Sequence, residues 1–413
     1  MASSEITLEA VPSASDIPAA DWNACANPTG DPNSLEHFDT LAPREADSCA
    51  VSKPAYNPFV SHAFFAAAEA SGSASPRTGW AARHLLARLD GDIVGVAPCY
   101  LKSHSQGEYV FDRGWADAYE RAGGRYYPKL QVSVPFTPAT GPRLLVRDGV
   151  DRAQIGSALA RGLMALCDAT GASSVHVTFA REAEAKLLGA HGFLQRNDQQ
   201  FHWHNQGYAT FDDFLASLNS RHRKAIKRER REAVAAGITI HHLTGSDISE
   251  EAWDAFFTFY METGSRKWGR PYLTRKFFSL IGESMSRDVL LVMARRNGRW
   301  IAGAINFIGS DTLFGRNWGA VEHHPFLHFE VCYYQAIDFA IQRGLQIVEA
   351  GAQGEHKLAR GYLPQTTYSA HFIADPDLRR AIADYLKRER AYVAEVGREL
   401  TEAGPFRKTA DEA

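Results

Sequence analysis

The chain has few cysteines and no cysteine pair. Its five cysteines lie far apart, at Cys25, Cys49, Cys99, Cys167 and Cys332, and no two form a C-x-x-C motif. A zinc ribbon and a disulfide framework are therefore not expected. No stretch approaches the roughly 18 apolar residues of a membrane span, and the opening "MASSEITLEAVPSASDIPAADW" lacks the basic and apolar regions of a secretory signal. We expect a cytoplasmic protein with reduced thiols and no integral membrane contact.

Two further kinds of chemistry have no signature in the sequence. The histidines of "FHWHN" and "EHHPFLH" lack cysteines or a carboxylate set at metal-ligand spacing, so no metal site is expected. The chain has no G-x-S-x-G motif and no cysteine in a recognisable nucleophile context, which argues against a covalent hydrolase. Because the net charge of the 413 residues is only −3, recognition of an anion is expected to be local.

One short pattern occurs twice along the chain. "ARLDGDIVGVA" begins at Ala87 and "ARRNGRWIAGA" begins at Ala294, a spacing of 207 residues, and the two align without a gap. Each has an Asp-Gly or Asn-Gly pair between two strand-like runs. Such a pair favours a type I′ turn, which needs positive φ at both central residues. The sequence therefore predicts a β-hairpin in each half of the chain.

A second unit follows each hairpin. In the first half, apolar residues at helical spacing lead to Gly171 and then to a strand from Val175 to Phe179; in the second half, a helix stops at Gly344 before a strand from Gln346 to Glu349. This repeat predicts tandem domains of one type, at 57–208 and 209–413, the second opening with a basic helix. Residues 1–56 are rich in Pro, Ser, Asn and Asp, and we expect an irregular N-terminal extension with a loop from about Asn27 to Tyr56.

Three stretches carry a resemblance to known proteins. "YNPFVSHAFFAAAEASG", "GEYVFDRGWADAYERAGGRYYPKLQVSVPFTPATGPRLL" and "GAQGEHKLARGYLP" resemble the FemAB-like family of peptidoglycan biosynthesis or recognition proteins. "AEAKLLGAHGF" is similar to a late helix and turn of the GNAT acyltransferase fold. The resemblance implies an α/β (α+β) fold of two tandem GNAT-like domains, with mixed sheets flanked by helices. It also implies transfer of an acyl or aminoacyl group to an amine.

Candidate catalytic residues lie near the end of the second-half strand. Transfer to an amine needs a proton acceptor and a group that stabilises the oxyanion. Glu349 ends the strand, and Glu355 and Lys357 follow a turn flanked by glycines, which free the backbone to approach a ligand. By resemblance, Lys357 matches a lysine that orients the acyl group in Fem-type transferases. The alternative interpretation is a salt-linked strand end without a catalytic role.

Candidate substrate-binding residues lie in two other segments. Arg121, Tyr126, Tyr127 and Lys129 belong to a long aromatic and basic insertion that suits a sugar, nucleotide or phosphate ligand. The alternative is a loop held by packing of its own side chains. Arg316 lies in "FGRNWGAVEHHPFLHFE", which would flank the gap between the central strands of the second domain.

The segment from Arg221 to Ala233 contains seven Lys or Arg residues and predicts a helix with one apolar edge. Guanidinium groups bind phosphate in two-pronged fashion, so Arg223 and Lys227 are candidate ligands of an anion. They resemble the R-x-x-x-K spacing that opens the second domain of Fem-type sequences. The anion could be a tRNA acceptor end, a nucleotide-linked precursor or an acidic lipid, and the alternative is a solvated face paired with the protein's own acidic loops.

Together these features predict an N-acyltransferase that acts on an amine of a phosphate-bearing, small-molecule or nucleotide-linked acceptor, in cell-envelope biosynthesis. No metal or redox cofactor is implied, and the donor is aminoacyl-tRNA or acyl-CoA. Typical CoA-binding members have a glycine-rich turn where this chain reads "EHHPFLHFE", without glycine between Gly319 and Gly344. Two alternatives stay open: the same fold with acyl-CoA or acyl carrier protein as donor, and a non-catalytic binding protein for an envelope precursor or RNA.

Overall fold

A computed structural model describes residues 5–28, 56–268, 271–351 and 354–407, without the side chains of residues 265–268 and 355. The strands are β1 (Ile6–Val11), β2 (Trp80–Ala82), β3 (His84–Leu89), β4 (Asp92–Ala97), β5 (Cys99–Lys102), β6 (Lys129–Val132), β7 (Leu145–Val146), β8 (Ser174–Ala180), β9 (Leu194–His204), β10 (Thr239–Thr244), β11 (Val289–Arg296), β12 (Arg299–Ile308), β13 (Thr312–Ala320), β14 (Ile347–Glu349) and β15 (Leu363–Ile373).

The α-helices are α1 (Ala19–Ala26), α2 (His62–Ala70), α3 (Arg113–Arg121), α4 (Arg152–Thr170), α5 (Glu182–Ala190), α6 (Phe211–Ser217), α7 (Ser220–Ala233), α8 (Glu250–Trp268), α9 (Arg275–Met285), α10 (Leu327–Phe329), α11 (Gln335–Gln342) and α12 (Pro376–Glu402). A π-helical segment, Glu330–Tyr334, joins α10 to α11. We refer to residues up to 208 as the first half and to the remainder as the second half.

Both predicted hairpins are confirmed. Asp90 and Gly91 connect β3 to β4 with φ of 51° and 93°, and Asn297 and Gly298 connect β11 to β12 with φ of 49° and 77°. These positive angles at both turn residues are those of a type I′ turn. The strand pairing also shifts at matching places, after Ala87 in one hairpin and after Ala294 in the other. The repeat seen in the sequence is therefore a repeat of backbone geometry.

The last strand of each half pairs with a strand of the other half. In the described part of the chain, eleven strands form one sheet in the order β10-β11-β12-β13-β14-β9-β15-β8-β6-β5-β2. First-half β9 pairs with second-half β14, second-half β15 pairs with first-half β8, and β9 and β15 pair with each other at the centre. The parallel pairs β6–β8 and β13–β14 lie on opposite sides of this exchange. The fold is thus α/β, with two GNAT-like halves and a mixed sheet flanked by helices.

The first half also has a separate sheet, in the order β1-β3-β4-β7. The hairpin strands β3 and β4 both lie in the small sheet, whereas the flanking strands β2 and β5 lie in the large one. Pro98 separates β4 from β5 and stands where the unbroken β12 has Ile305. Because proline has no N–H, it cannot donate to a strand ladder, and a break at this position follows.

The prediction of an irregular N-terminal extension was wrong for residues 6–26. Strand β1 pairs with β3 along its whole length, and α1 buries Trp22, whose indole N–H donates to the carbonyl of Val60 at 2.8 Å. Strand pairing and one buried aromatic residue outweigh the polar composition of this segment. Most of the predicted loop, residues 29–55, lies outside the described residues. The domain boundaries near 56 and 208 stay predictions.

Helix α7 is the predicted basic helix. It begins at Ser220, where the side chain of Asn219 accepts a hydrogen bond from the backbone N–H of His222, a typical N-cap. Its buried edge is Ile226, Glu229 and Ala233. The carboxylate of Glu229 accepts hydrogen bonds from the Tyr334 hydroxyl and from Arg360. These contacts fix α7 against the segment that carries Lys357.

Candidate functional site

The site lies where two parallel strands of the second half separate. Strands β13 and β14 pair from Thr312 opposite Ile347 to Phe314 opposite Glu349, and no further pairing follows. Beyond this point an inner cavity of about 70 Å³ opens between Gly315 and Ala350. Asn306, Arg316 and Cys332 also line it. The gap has the place that the GNAT resemblance predicted for the meeting of donor and acceptor.

An outer cavity of about 290 Å³ continues from the inner one, since Arg316, Asn317, Trp318 and His328 line both. Its opposite wall comes from the first half, through residues of the segment 105–113. Tyr260 and Tyr272 of the second half complete an aromatic lining. The two halves together therefore enclose a passage from the surface to the strand gap.

Glu349 is buried at the end of β14, with 5% of its surface exposed. Its carboxylate lies 3.6 Å from Arg316 Nη2 and 4.0 Å from His202 Nε2. Burial raises the pKa of Glu349 to about 7, although Arg316 and a backbone hydrogen bond from Thr140 act in the opposite direction. A carboxylate with a pKa near neutrality is suited to accept a proton at physiological pH.

Arg316 has an exposed fraction of only 5% for its side chain. One guanidinium nitrogen, Nη1, donates to the carbonyl of Gly315 at 3.0 Å, and the guanidinium group stacks 4.8 Å from the centre of the Phe59 ring. Within the described residues, Nε and Nη2 of Arg316 and Oε2 of Glu349 have no hydrogen-bond partner. Nη2 and Oε2 are the two atoms that lie 3.6 Å apart, an ion pair too long for a hydrogen bond, so the buried guanidinium keeps capacity to bind a ligand.

Lys357 lies beside this pair of residues. Its Nζ donates to the carbonyl of Gly351 at 2.9 Å, and the residue is 2% exposed. Burial, together with the positive charge of Arg316, lowers the pKa of Lys357 to about 7. Of the residues singled out from the sequence, Glu349 and Arg316 are thus in contact, and the charge of Lys357 interacts with that of Arg316; only Arg316 lines the two cavities. The side chain of Glu355 lies outside the described residues.

The aromatic and basic insertion of the first half holds itself together. Lys129 forms ion pairs with Glu108, at 2.7 Å, and with Asp112, and all three side chains are buried. The Tyr126 hydroxyl donates to Asp112 at 2.8 Å. These contacts fix the segment that forms the wall of the outer cavity, and neither Tyr126 nor Lys129 lines the cavity itself.

The other two candidates of this insertion differ in position. Arg121 is exposed at the end of α3, away from the residues that line the cavities. The Tyr127 hydroxyl shares a hydrogen bond of 2.8 Å with Ser105, which does line the outer cavity. Tyr127 is thus one contact removed from the passage.

The cations of α7 lie outside both cavities. Arg223 is half-buried, and its Nη1 donates a long hydrogen bond of 3.5 Å to the carbonyl of Leu218. Lys227 is exposed and pairs with Asp212 at 3.2 Å. Arg230 instead binds two second-half carboxylates, Glu330 at 3.1 Å and Asp338 at 2.7 Å. Lys227 and Arg230 thus show the pairing with acidic residues that the solvated-face interpretation expects, and anion binding by α7 stays a prediction.

Three residues at or near the gap were not predicted as site residues from the sequence: His202, Asn306 and Cys332. His202 reaches Glu349 because β9 pairs with β14, and burial lowers the pKa of His202 to about 3, so the ring is neutral. Its position in "FHWHN" had drawn attention only as a metal motif. Asn306 and Cys332 are single polar residues in apolar stretches, and no local pattern distinguishes them.

The fold and the gap define a tandem GNAT-like protein with a candidate transfer site between its halves. The chain belongs to the FemAB-like family, described as peptidoglycan biosynthesis/recognition, whose model matches residues 13–408. No curated protein matches the chain.

Solved structures with a similar fold include FemX (14% identity, 75% of this chain and 92% of that chain, TM-score 0.49). They also include L-PGS from Bacillus licheniformis (9% identity, 80% and 98%, TM-score 0.49) and a tandem GNAT protein from the clavulanic acid biosynthesis pathway (14% identity, 90% and 99%, TM-score 0.44). No helix within the described ranges combines the length and the apolar character needed to cross a membrane.

Proposed function

We propose that the protein is an aminoacyl or acyl transferase that forms an amide on an amine of a phosphate-bearing acceptor in cell-envelope biosynthesis. The observation that carries the proposal is the pair at the strand gap: Glu349, with a pKa of about 7, beside Arg316, whose buried Nε and Nη2 make no hydrogen bond within the described residues. Membership of the FemAB-like family supports the envelope context.

In the proposed reaction, the acceptor nitrogen attacks the carbonyl carbon of the donor directly. Glu349 accepts the proton of the attacking nitrogen, or the substrate itself supplies this base. The negative charge that develops on the carbonyl oxygen would be stabilised by Arg316 and by protonated Lys357. The bond to the donor oxygen, or to sulfur in a thioester donor, then breaks, and the leaving atom takes the proton. No covalent intermediate on the enzyme is required.

The donor that we propose is aminoacyl-tRNA. Helix α7 presents exposed cations, and its buried edge is tied to the segment of Lys357, so an RNA bound along α7 would lie beside the transfer site. The acyl-CoA or acyl carrier protein alternative lacks the usual glycine-rich turn, because β13 continues through "VEHHPF" into α10. The acceptor would enter through the outer cavity between the halves.

The test is an acyl-transfer assay with purified protein and matched donors. Aminoacyl-tRNA, acyl-CoA and acyl carrier protein would each be supplied with amine acceptors, including nucleotide-linked envelope precursors, and amide formation would be followed by mass spectrometry. Amide formation with one donor class, abolished in Glu349→Gln, is expected. If no donor is consumed while precursor or RNA binds tightly, the protein is a binding protein and the transferase proposal is wrong.

A further inference from the structure

The inner cavity contains a cysteine that the proposed transfer does not use. Of the four cysteines that the structure describes, Cys25, Cys99 and Cys167 are at most 2% exposed, and burial raises the pKa of each thiol. Cys332 differs because it is only half-buried and lines the inner cavity. It lies in the π-helical segment Glu330–Tyr334, a rare geometry that is often found at functional sites.

Independent observations show that this cavity suits a ligand. The amide of Asn306 is 99% buried, given its 1% exposure; its Nδ2 donates to the carbonyl of Leu290 at 3.4 Å, whereas its Oδ1 has no partner within the described residues. Arg316 lines the same cavity, and its buried Nε and Nη2 make no hydrogen bond within the described residues, although Nη2 lies 3.6 Å from Glu349. A buried guanidinium with free donors binds carboxylates and other oxyanions better than neutral groups.

Two cations lie close to Cys332. Arg316 lines the cavity with it, and the charges of Lys357 and Cys332 interact attractively. The thiolate is the nucleophile in cysteine chemistry, and neighbouring cations stabilise it relative to the thiol. A nucleophile and an oxyanion-binding group therefore share one small space.

We propose that Cys332 is a covalent modification site for small anionic electrophiles. Arg316 binds the carboxylate of the reagent, and the Cys332 thiolate attacks its electrophilic carbon. A sulfur–carbon bond forms, the bond to the leaving group breaks, and the leaving group departs with the electron pair. With a haloacetate the products are S-carboxymethylcysteine and halide. The inner cavity of about 70 Å³ limits the reagent to a few heavy atoms. This inference does not depend on the proposed transfer reaction.

The experiment compares iodoacetate with iodoacetamide, which differ by one charge and are nearly equal in size. The protein would carry Cys49→Ser, because Cys49 lies outside the described residues and its labelling would compete with labelling at Cys332. The rate of alkylation at Cys332 would be measured by peptide mass mapping and compared with the rate at which glutathione reacts with the same reagent. The ratio of the iodoacetate rate to the iodoacetamide rate is expected to exceed that of glutathione by about tenfold, the effect of one charge-assisted hydrogen bond.

Two further measurements keep the test decisive. Arg316→Gln should return the ratio to that of glutathione, whereas Arg316→Lys should retain part of the preference because it keeps the positive charge. Acetate should slow the reaction of the unchanged Arg316 protein with iodoacetate, which tests the anion site even if a variant fails to fold. The proposal is overturned if Cys332 shows the ratio of glutathione, if acetate has no effect, or if Cys332 reacts only after unfolding, as Cys99 and Cys167 should.

Discussion

The two halves have different polar side chains at equivalent positions of neighbouring strands. In the second half, Glu349 of β14 lies between Phe314 of β13 and His202 of β9. In the first half, His176 of β8 has the equivalent position, between Gln131 of β6 and His371 of β15. The two histidines of the first half contact each other directly, Nδ1 to Nδ1, at 2.8 Å. In the second half a carboxylate and a histidine remain 4.0 Å apart beside a cavity.

The difference arises from what covers the equivalent pair in each half. Trp115 of α3 lies over the histidine pair, with its ring centre 5.0 Å from that of His371, and Tyr126 packs in the same cluster. The insertion that contains α3, between β5 and β6, thus covers the histidine pair with aromatic side chains. In the second half only residues 309–311 join β12 to β13, and a cavity lies beside Glu349. The same topology therefore yields one packed core and one candidate site.

Ion pairing follows the same contrast. In the first half, the ammonium of Lys129 contacts the carboxylates of both Glu108 and Asp112. In the second half, Arg316 and Glu349 form a longer ion pair of 3.6 Å. The halves therefore differ in how closely the charges pair, since Glu108 and Asp112 also keep one oxygen each without a hydrogen bond within the described residues. Removing one partner of a close buried ion pair is costly.

Removing the carboxylate of the second-half gap should have the largest effect. Glu349→Gln is expected to lower the transfer rate by about a hundredfold or more, the usual contribution of a general base. The matched variant in the first half, His176→Gln, should lower the melting temperature but leave the rate per folded molecule close to that of the wild type. Equal loss of rate in both variants would contradict the assignment of the site to the second half.

The same variant separates a site residue from a salt-linked strand end. Because the pKa of Glu349 rises from 4.5 to about 7 on folding, its stabilising contribution is present below pH 4.5 and is lost as the pH rises through 7. At pH 8, Glu349→Gln should therefore raise the free energy of unfolding by up to about 3 kcal/mol. Thermal unfolding at pH 5 and pH 8 measures this, and destabilisation at pH 8 would favour the salt-linked interpretation.

Buried lysines of the two halves should respond in opposite ways. Lys357→Met is expected to reduce turnover by about tenfold or more, since a hydrogen bond from a charged group contributes about 1.5–3 kcal/mol. Lys129→Met should instead lower the free energy of unfolding by about 3–5 kcal/mol, because it leaves two carboxylates buried without that ammonium. Turnover and chemical denaturation of both variants check the contrast, which fails if Lys357→Met retains the wild-type rate.

The pH dependence of the rate should have two limbs. Transfer needs ionised Glu349, so the rate should fall as the pH drops below about 7, and it needs protonated Lys357, so the rate should also fall as the pH rises above about 7. A narrow maximum near neutrality is expected in kcat/KM. Residual activity of Lys357→Met should lack the alkaline limb, and an unchanged profile in that variant would show that another group titrates there.

The parts of the fold and of the candidate site that the sequence predicted depend on local patterns. The Asp-Gly and Asn-Gly turns, the helix stops at Gly171 and Gly344, and the placement of Glu349 at a strand end depend on neighbouring residues, and all were predicted correctly. Lys357 was identified as a candidate catalytic residue near this strand end by family resemblance.

Long-range pairing explains the remainder. The exchange of β9 and β15 joins strands from different halves, and no periodicity encodes which partner a strand selects. His202 reaches Glu349 only through that exchange. The partners of Lys129 and Arg230 are likewise set by tertiary contacts, so their internal ion pairs were not distinguishable from ligand-binding cations in the sequence.

The smallest effect on folding is expected at α7, which tests the donor. Arg221, Lys224 and Arg231 are exposed and have no ion pair among the residues that the structure describes. Replacing all three with Gln should weaken tRNA binding and reduce the slope of log affinity against log salt by about 2–3, because each phosphate contact contributes about 0.7–0.9. Thermal stability should change little, since exposed charges contribute about 0–1 kcal/mol.

Two controls make this result specific to the exposed face of α7. Arg380, Arg388 and Arg398 are exposed on α12, and their replacement with Gln removes the same charge from another helix. Arg230→Gln should behave differently from either triple variant, because Arg230 binds the buried Glu330 and its loss should lower the melting temperature. Filter binding of tRNA at several salt concentrations measures the slopes. An equal reduction in both triple variants would mean that net charge, rather than the α7 face, governs binding, and the RNA-donor assignment would lose its structural support.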